Sequence, residues 1–189
     1  AVGAAPSVAI KMVAEVTEVV PLPPPPLNKT TLTLGDSEVW FRAYPDIKWQ
    51  VQHIEGNYAY LALSTLPSKT TFGPNVTYAG STIAGLCTDY LNNTIPNVAD
   101  YIQDVTVNGV TSKVFVPSYE QLSSGWDWPK AATANRICQY NGTNTAWWTS
   151  SSSDTDYAWY VRTDGDFSDY FPSRSYGFRP AVKVQFKDD

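Results

Sequence analysis

The stretch "PLPPPP", residues 21–26, admits neither helix nor sheet. Each proline lacks the backbone N–H that both need and fixes φ near about −65°. Consecutive prolines hold polyproline II at about 3.1 Å per residue, which makes a stiff spacer. The run cuts a chain of 189 residues into a short leading segment and one body. That body is long enough for a single well-filled core and too short for two ordinary domains. The division expected is an N-terminal anchor segment with its spacer, residues 1–34, and one domain, residues 35–189.

Residues 1–20 are small and apolar with sparse charge. Val13, Val16 and Val20 fit a helix face, while the β-branched content favours a strand, so the state stays open. An apolar end on a stiff spacer suits an anchor that docks elsewhere; a disordered tail suits the composition equally. Lys11, Glu15 and Glu18 interrupt the segment and no basic leader precedes it, so it is a poor secretion signal, although a mature chain would have lost one. No apolar run approaches the roughly 20 residues of a membrane span. The net charge is −5 without a basic cluster, which argues against neutralising phosphates. Neither a nucleic-acid nor a membrane partner is expected.

Within the body, 43% hydrophobic and 16% charged residues indicate a folded, β-rich unit. "EVWFRAY" and "IKWQVQHI" read as strands, and "EGN" turns the second into "YAYLALS". Ser81 caps a helix over "TIAGLCTDYL", and Asn97 a second over "NVADYIQDV" with Val98, Tyr101, Ile102 and Val105 inward. Asn108-Gly109 is a hairpin turn. Ser118 and Gln121 have the spacing of a capping box. Residues 123–145 read as a long loop pinned by Trp126 and Trp128. Three strands follow, "AWWTS", "YAWYVRT" and "SYGFRPAVKVQF"; in the last, Val182, Val184 and Phe186 alternate with Lys183 and Gln185. The fold class expected is α+β, with short helices, long loops and a closing C-terminal strand.

Two cysteines, Cys87 and Cys138, are too few for a disulfide scaffold or a zinc site. A buried free thiol is preferred for Cys87, with a single bridge to Cys138 left open. Four N-x-[ST] sequons, at Asn28, Asn75, Asn92 and Asn141, are explained by chance in so Asn- and Thr-rich a chain.

His53, the single histidine, lies mid-strand with no nucleophile assignable to it, and reads as structural. Asp154, Asp156, Asp164, Asp166 and Asp169 are considered as a glycosidase pair or a calcium loop. The spacing lacks the D-x-[DN]-x-[DN]-G order of a calcium loop, and nothing marks an apolar pocket that would raise a carboxyl pKa. No metal, cofactor or catalysis is expected.

Residues 149–176 instead hold seven Ser, five Asp, four Tyr and three Thr. Tyr gives wide amphipathic contact with little rotamer entropy to lose, and Ser hydrogen-bonds without bulk, as recognition loops require. In "YAWYV", Ala158 and Tyr160 share one strand face while Tyr157, Trp159 and Val161 share the other. The candidate ligand-binding residues are Trp148, Ser150, Asp154, Asp156, Tyr157, Tyr160, Asp164, Asp166, Tyr170 and Tyr176. Arg179 is assigned a structural role in the closing strand.

In order, "KWQVQHI", "YAYLALS", "LNNT", "VFVPSYEQL", "AWWTSS", "YAWYV" and "YGFRPAVKV" resemble a family of uncharacterised domains common in bacteriophage and Firmicutes proteins. The resemblance spans residues 47–186. That family looks like a branch of the C-type-lectin-like fold shared by formylglycine-generating enzymes and phage tropism determinants. It implies that the final strand seals the core and that the loops before it form the binding face. Two features do not carry over. Both cysteines precede the "WW" strand, whereas the oxidases use a pair near the carboxyl terminus. "IPNV" and "GWDWP" match neither calcium-lectin motif.

The resemblance implies a non-enzymatic virion protein, assembled in the host cytoplasm and then extracellular. It would adhere to a host-surface glycan or protein and form a homo-oligomer, and the apolar end on its proline spacer would contact other virion proteins through residues 1–30. A capsid or tail decoration protein without receptor binding is the alternative. Some phage tropism proteins are diversified at Asn codons. Here Asn is absent from residue 145 onward, where Asp, Ser and Tyr crowd, which such diversification would produce.

Overall fold

The computed structural model describes residues 26–187 together with Gly3. The expected anchor over residues 1–20 and the prolines before Pro26 lie outside the described residues. The packed body reaches back further than Gly35. Leu27 and Leu32 are buried in the main core, and Leu27 bridges Phe41. Leu27 and Leu32, on the near side of the expected 34/35 boundary, thus pack with the body.

Strand β1 (Trp49–Glu55) turns through Gly56 into β2 (Tyr58–Leu63), and a short β3 (Ser68–Thr70) follows. Helix α1 (Thr82–Asp89) begins where Ser81 Oγ accepts the Ala84 N–H at 3.1 Å, and it buries Ile83 and Cys87. It runs directly into a wider π turn at Tyr90–Thr94. Next come β4 (Ile102–Gln103), β5 (Val105–Val107), β6 (Val110–Ser112) and β7 (Val114–Phe115). After a helical turn come α2 (Asp127–Ala131) and the ribbon strands β8 (Gln139–Tyr140) and β9 (Thr143–Asn144). The chain closes with β10 (Trp147–Ser152), β11 (Ala158–Val161), β12 (Phe167–Tyr170), β13 (Tyr176–Phe178) and β14 (Ala181–Gln185).

These strands form two main sheets. The first runs β1-β2-β14-β4, with β7 also on β14; the second runs β12-β11-β10-β13-β3. Small ribbons β5-β6 and β8-β9 complete a mixed α+β architecture in which short helices are the minority. The alternation in the last strand holds: Val182, Val184 and Phe186 are buried, and β14 pairs antiparallel with β2, the second strand of the first hairpin.

Two places where the chain changes sheet lie side by side. The path from β2 to β3 and the path from β13 to β14 both cross over, and Leu63 N–H donates to Pro180 O at 3.1 Å between them. Arg179, 1% exposed, donates from Nε to Leu63 O at 2.9 Å and from its second amino group to Gln50 Oε1 at 3.2 Å. Its assigned structural role is thus to tie the two sheets together. Beside it, Gly177 lies opposite Trp147 in a parallel pairing. A Cβ there would sit 3.1 Å from Trp147 Cβ and closer still to Leu66, so only glycine lets β13 approach β10.

The other expectations divide. Asn108 (φ 46°) and Gly109 (φ 78°) form the two-residue hairpin turn between β5 and β6. The capping box is reciprocal, with Gln121 N–H donating to Ser118 Oγ at 3.1 Å and Ser118 N–H to Gln121 Oε1 at 2.8 Å. "EVWFRAY" is not a strand; it makes isolated bridges at Val39 and Phe41 and turns at residues 42–43. The second helix is only a 3-10 turn, Pro96–Tyr101. Asn97 does not cap it, because it lies inside the turn, whose cap position is Ile95; its N–H donates to the Tyr44 hydroxyl. Tyr101 points outward, and β-branched Ile102 joins β14 instead. The long loop 123–145 holds α2, a 3-10 turn and a ribbon, with Trp126 buried against Tyr60 and Phe115.

Candidate functional site

The ten predicted residues do not form one surface. Trp148 and Ser150 are 0% and 1% exposed, which removes them from any contact face. Trp148 lies in the main core against Phe72, and its indole N–H donates to Thr70 O at 3.1 Å. Ser150 receives Asn108, whose side-chain amide reaches Ser150 O at 2.8 Å, Ser150 Oγ at 3.0 Å and Ser151 Oγ at 3.2 Å. The serines that look like loop hydroxyls in sequence therefore weld the β5-β6 hairpin onto β10. Ser151 completes the joint by accepting the Tyr119 N–H at 3.1 Å and donating to Glu120 Oε2 at 2.9 Å.

The aspartates serve turn geometry. Asp154 Oδ1 accepts the N–H groups of Asp156 at 2.7 Å and Tyr157 at 2.9 Å, and Asp164 Oδ1 accepts that of Asp166 at 3.1 Å. Side-chain mimicry of a backbone turn explains the recurring Asp-x-Asp pattern without invoking paired acids. Asp156 and Asp166 stay exposed. The two loops lie at opposite ends of β11, about 10 Å of strand apart, so the four carboxylates do not converge.

One end of the second sheet gathers the exposed rings. In the register of β11 on β12, Ala158 faces Tyr170, so the loop before β11 and the turn after β12 meet there. Tyr170 and Phe171 are 42% and 49% exposed; their centroids are 5.7 Å apart and their planes meet at 87°. Tyr157 supports Phe171 at 4.7 Å, and the Arg174 guanidinium lies 5.6 Å from the Tyr170 centroid.

Both bearing turns are fixed. Arg174 N–H donates to Phe171 O at 3.1 Å, closing a β-turn with Pro172 at its second position, and Phe72 N–H holds Pro172 O at 2.9 Å. Across from it, Ser153 N–H and Oγ both donate to Tyr157 O, at 2.9 and 3.2 Å.

Behind this corner, Tyr160 stacks on Tyr176 at 4.3 Å, and both rest on the buried Trp148. Burial first, and then the neighbouring Tyr160 hydroxyl, push the Tyr176 phenol up to about 12. Phe171 and Arg174 are the site residues that sequence reading missed. The signal was "YFPSR", in which proline fixes a turn that leaves an aromatic and a cation at its corners.

On the opposite face of β11, Trp159 stacks on Tyr119 at 4.5 Å, so neither face of that strand is bare. His53 Nδ1 lies 2.9 Å from Asp127 Oδ2, joining β1 to α2 as a structural contact. A separate cleft of about 200 Å³ opens between the π turn and β3, lined by Asp89, Tyr90, Asn93, Ser68 and Phe178 among others. Among the described residues, no three His, Cys, Asp or Glu side chains group as metal ligands, and no helix is long and apolar enough to cross a membrane. Comparison with protein-family models, curated proteins and solved structures finds no match to this chain.

Proposed function

We propose that this chain is a non-enzymatic bacteriophage virion protein whose domain adheres to a host-surface ligand through the Tyr170–Phe171 corner. The observation that carries the reading is that corner: two exposed aromatic rings at right angles, on a proline-fixed turn, rimmed by Asp156, Ser173, Arg174 and Ser175. Exposed rings beside polar groups favour recognition, and a turn already closed by its own hydrogen bonds loses little entropy on binding. Virion location, the C-type-lectin-like fold and homo-oligomerisation rest on the sequence resemblance, and contact with other virion proteins through residues 1–30 rests on the apolar end and its proline spacer.

The test is retention of the labelled full chain on a panel of intact bacterial cells, beside its Tyr170→Ser/Phe171→Ser variant. Saturable binding to one strain, lost in a variant with unchanged melting, is the expected result. Binding that survives the double substitution overturns this assignment of the site.

A decoration protein without receptor binding is the second reading. It is favoured by the inward packing of Trp148, Ser150 and the serine joint, which shows how much of this aromatic, hydroxyl-rich stretch serves the fold itself. Incorporation into particles with no cell binding would select it.

A further inference from the structure

We infer that the Tyr170–Phe171 corner takes a neutral pyranose ring of a surface glycan; this rests on the adhesion reading and names the ligand class for that site. The first argument is area. A Tyr or Phe side chain carries about 150–250 Å². At 42% and 49% exposure, the two rings offer about 200 Å² of aromatic surface. A stable protein partner covers about 800 Å² on each side. The corner is thus a quarter of a protein epitope, but it is the size of a ring ligand.

The second argument is shape. The rings meet at 87° with centroids 5.7 Å apart, which makes a notch and not a flat plate. A pyranose has a face of axial C–H groups and a rim of hydroxyls. Laid on Phe171 with its edge against Tyr170, it places C–H groups on one π face and leaves its hydroxyls outward. Tyr157 at 4.7 Å backs Phe171, and the Arg174 guanidinium beside Tyr170 holds that ring from another side. The notch exists before any ligand arrives.

The third argument is polarity and charge. Ser173 and Ser175 are exposed on the same turn, and Asp156 is exposed on the facing loop, so donors and acceptors surround the rings. Asp154 and Asp156 oppose one guanidinium, Arg174, at this end. In a chain of net charge −5, that balance disfavours phosphate-rich or uronate-rich polymers.

The experiment uses the full chain, the Phe171→Ser variant and a surface control, Tyr101→Ser. Each is applied to immobilised neutral pyranose oligosaccharides, to acidic oligosaccharides and teichoic acid, and to intact cells before and after periodate or protease treatment. The expected result is retention on neutral sugars, weakened at least tenfold by Phe171→Ser and unchanged by Tyr101→Ser, with cell binding lost after periodate and kept after protease. Binding restricted to acidic polymers, or cell binding lost to protease and kept after periodate, overturns the sugar assignment and leaves adhesion standing. Failure to bind any cell or sugar overturns both.

Discussion

The guanidinium carbon of Arg179 lies 5.0 Å from the centre of the Trp147 ring, and its hydrogen bonds run to two neutral oxygens, Leu63 O and Gln50 Oε1. A buried cation is held here by geometry: a planar fork on an indole face. Replacing Arg179 with Met takes this donor from Leu63 O, while Gln50 Oε1 keeps the Gln52 Nε2 bond at 3.0 Å, and is expected to cost about 1–3 kcal/mol. Arg179→Lys should recover little of this, since an ammonium cannot span both acceptors while lying on the ring. Equilibrium urea unfolding measures both variants, and an unchanged midpoint in either contradicts the tie between the sheets.

Trp148 and Phe171 are predicted to behave oppositely. Trp148→Ala removes a fully buried ring from beneath Tyr160 and Tyr176, at a cost of about 3–5 kcal/mol. Phe171→Ser, half exposed on its turn, should change stability by no more than about 0.5 kcal/mol. Thermal unfolding of the pair separates core from contact surface, and equal losses would refute that partition.

Asn108 has two duties, a positive φ in the hairpin turn and an amide that grips Ser150 and Ser151. Asn108→Gly keeps the turn and loses the grip, for about 1 kcal/mol; Asn108→Ala loses both, for about 2–3 kcal/mol. Denaturation curves showing alanine and glycine equally costly would leave the amide as the whole effect.

Acid should weaken the fold below its ordinary carboxylate range. The Lys183 hydrogen bond and charge hold Glu55 below 4.5, and the Lys130 hydrogen bond, followed by His53, holds Asp127 below 3.8. A carboxyl with a lowered value in the fold stabilises it above the unfolded value, and that contribution disappears as pH falls through the folded value. Stability is thus expected to be level near neutrality and to fall below about pH 4. The decline should be shallower in Glu55→Gln/Asp127→Asn; identical slopes in variant and wild type would rule out these pairs as the cause.

Both thiols are free and buried, and burial pushes the Cys87 thiol up to about 12. A neutral thiol without solvent access does not react, so a chromogenic disulfide reagent at neutral pH should find no thiol in the native chain and two after unfolding. Finding none after unfolding would mean that the two are bridged.

Where local chemistry decides structure, the sequence could be read directly. Ser81, the Ser118–Gln121 box, Asn108-Gly109 and the alternation of Val182, Val184 and Phe186 each act within a few residues, and each took the expected form. The failures were settled by distant partners. Nothing near Ser150 announces that Asn108, 42 residues earlier, will bury it. Nothing in "EVWFRAY" shows that its backbone will pair only with single residues such as Leu27 and Trp49. The aspartates were read as contact groups of one surface, whereas Asp154 and Asp164 each hold a turn of their own, at opposite ends of β11.

The turn at Phe171–Arg174 and the loop at Ser153–Tyr157 each close by hydrogen bonds within themselves, while the joint that locks the sheets lies elsewhere, at Leu63 and Arg179–Pro180. Assembly of the frame and the chemistry displayed at its tips are consequently written in separate codons. The tip positions can be edited without relearning how to fold, and a protein engineer could use the same two tips as a graft site.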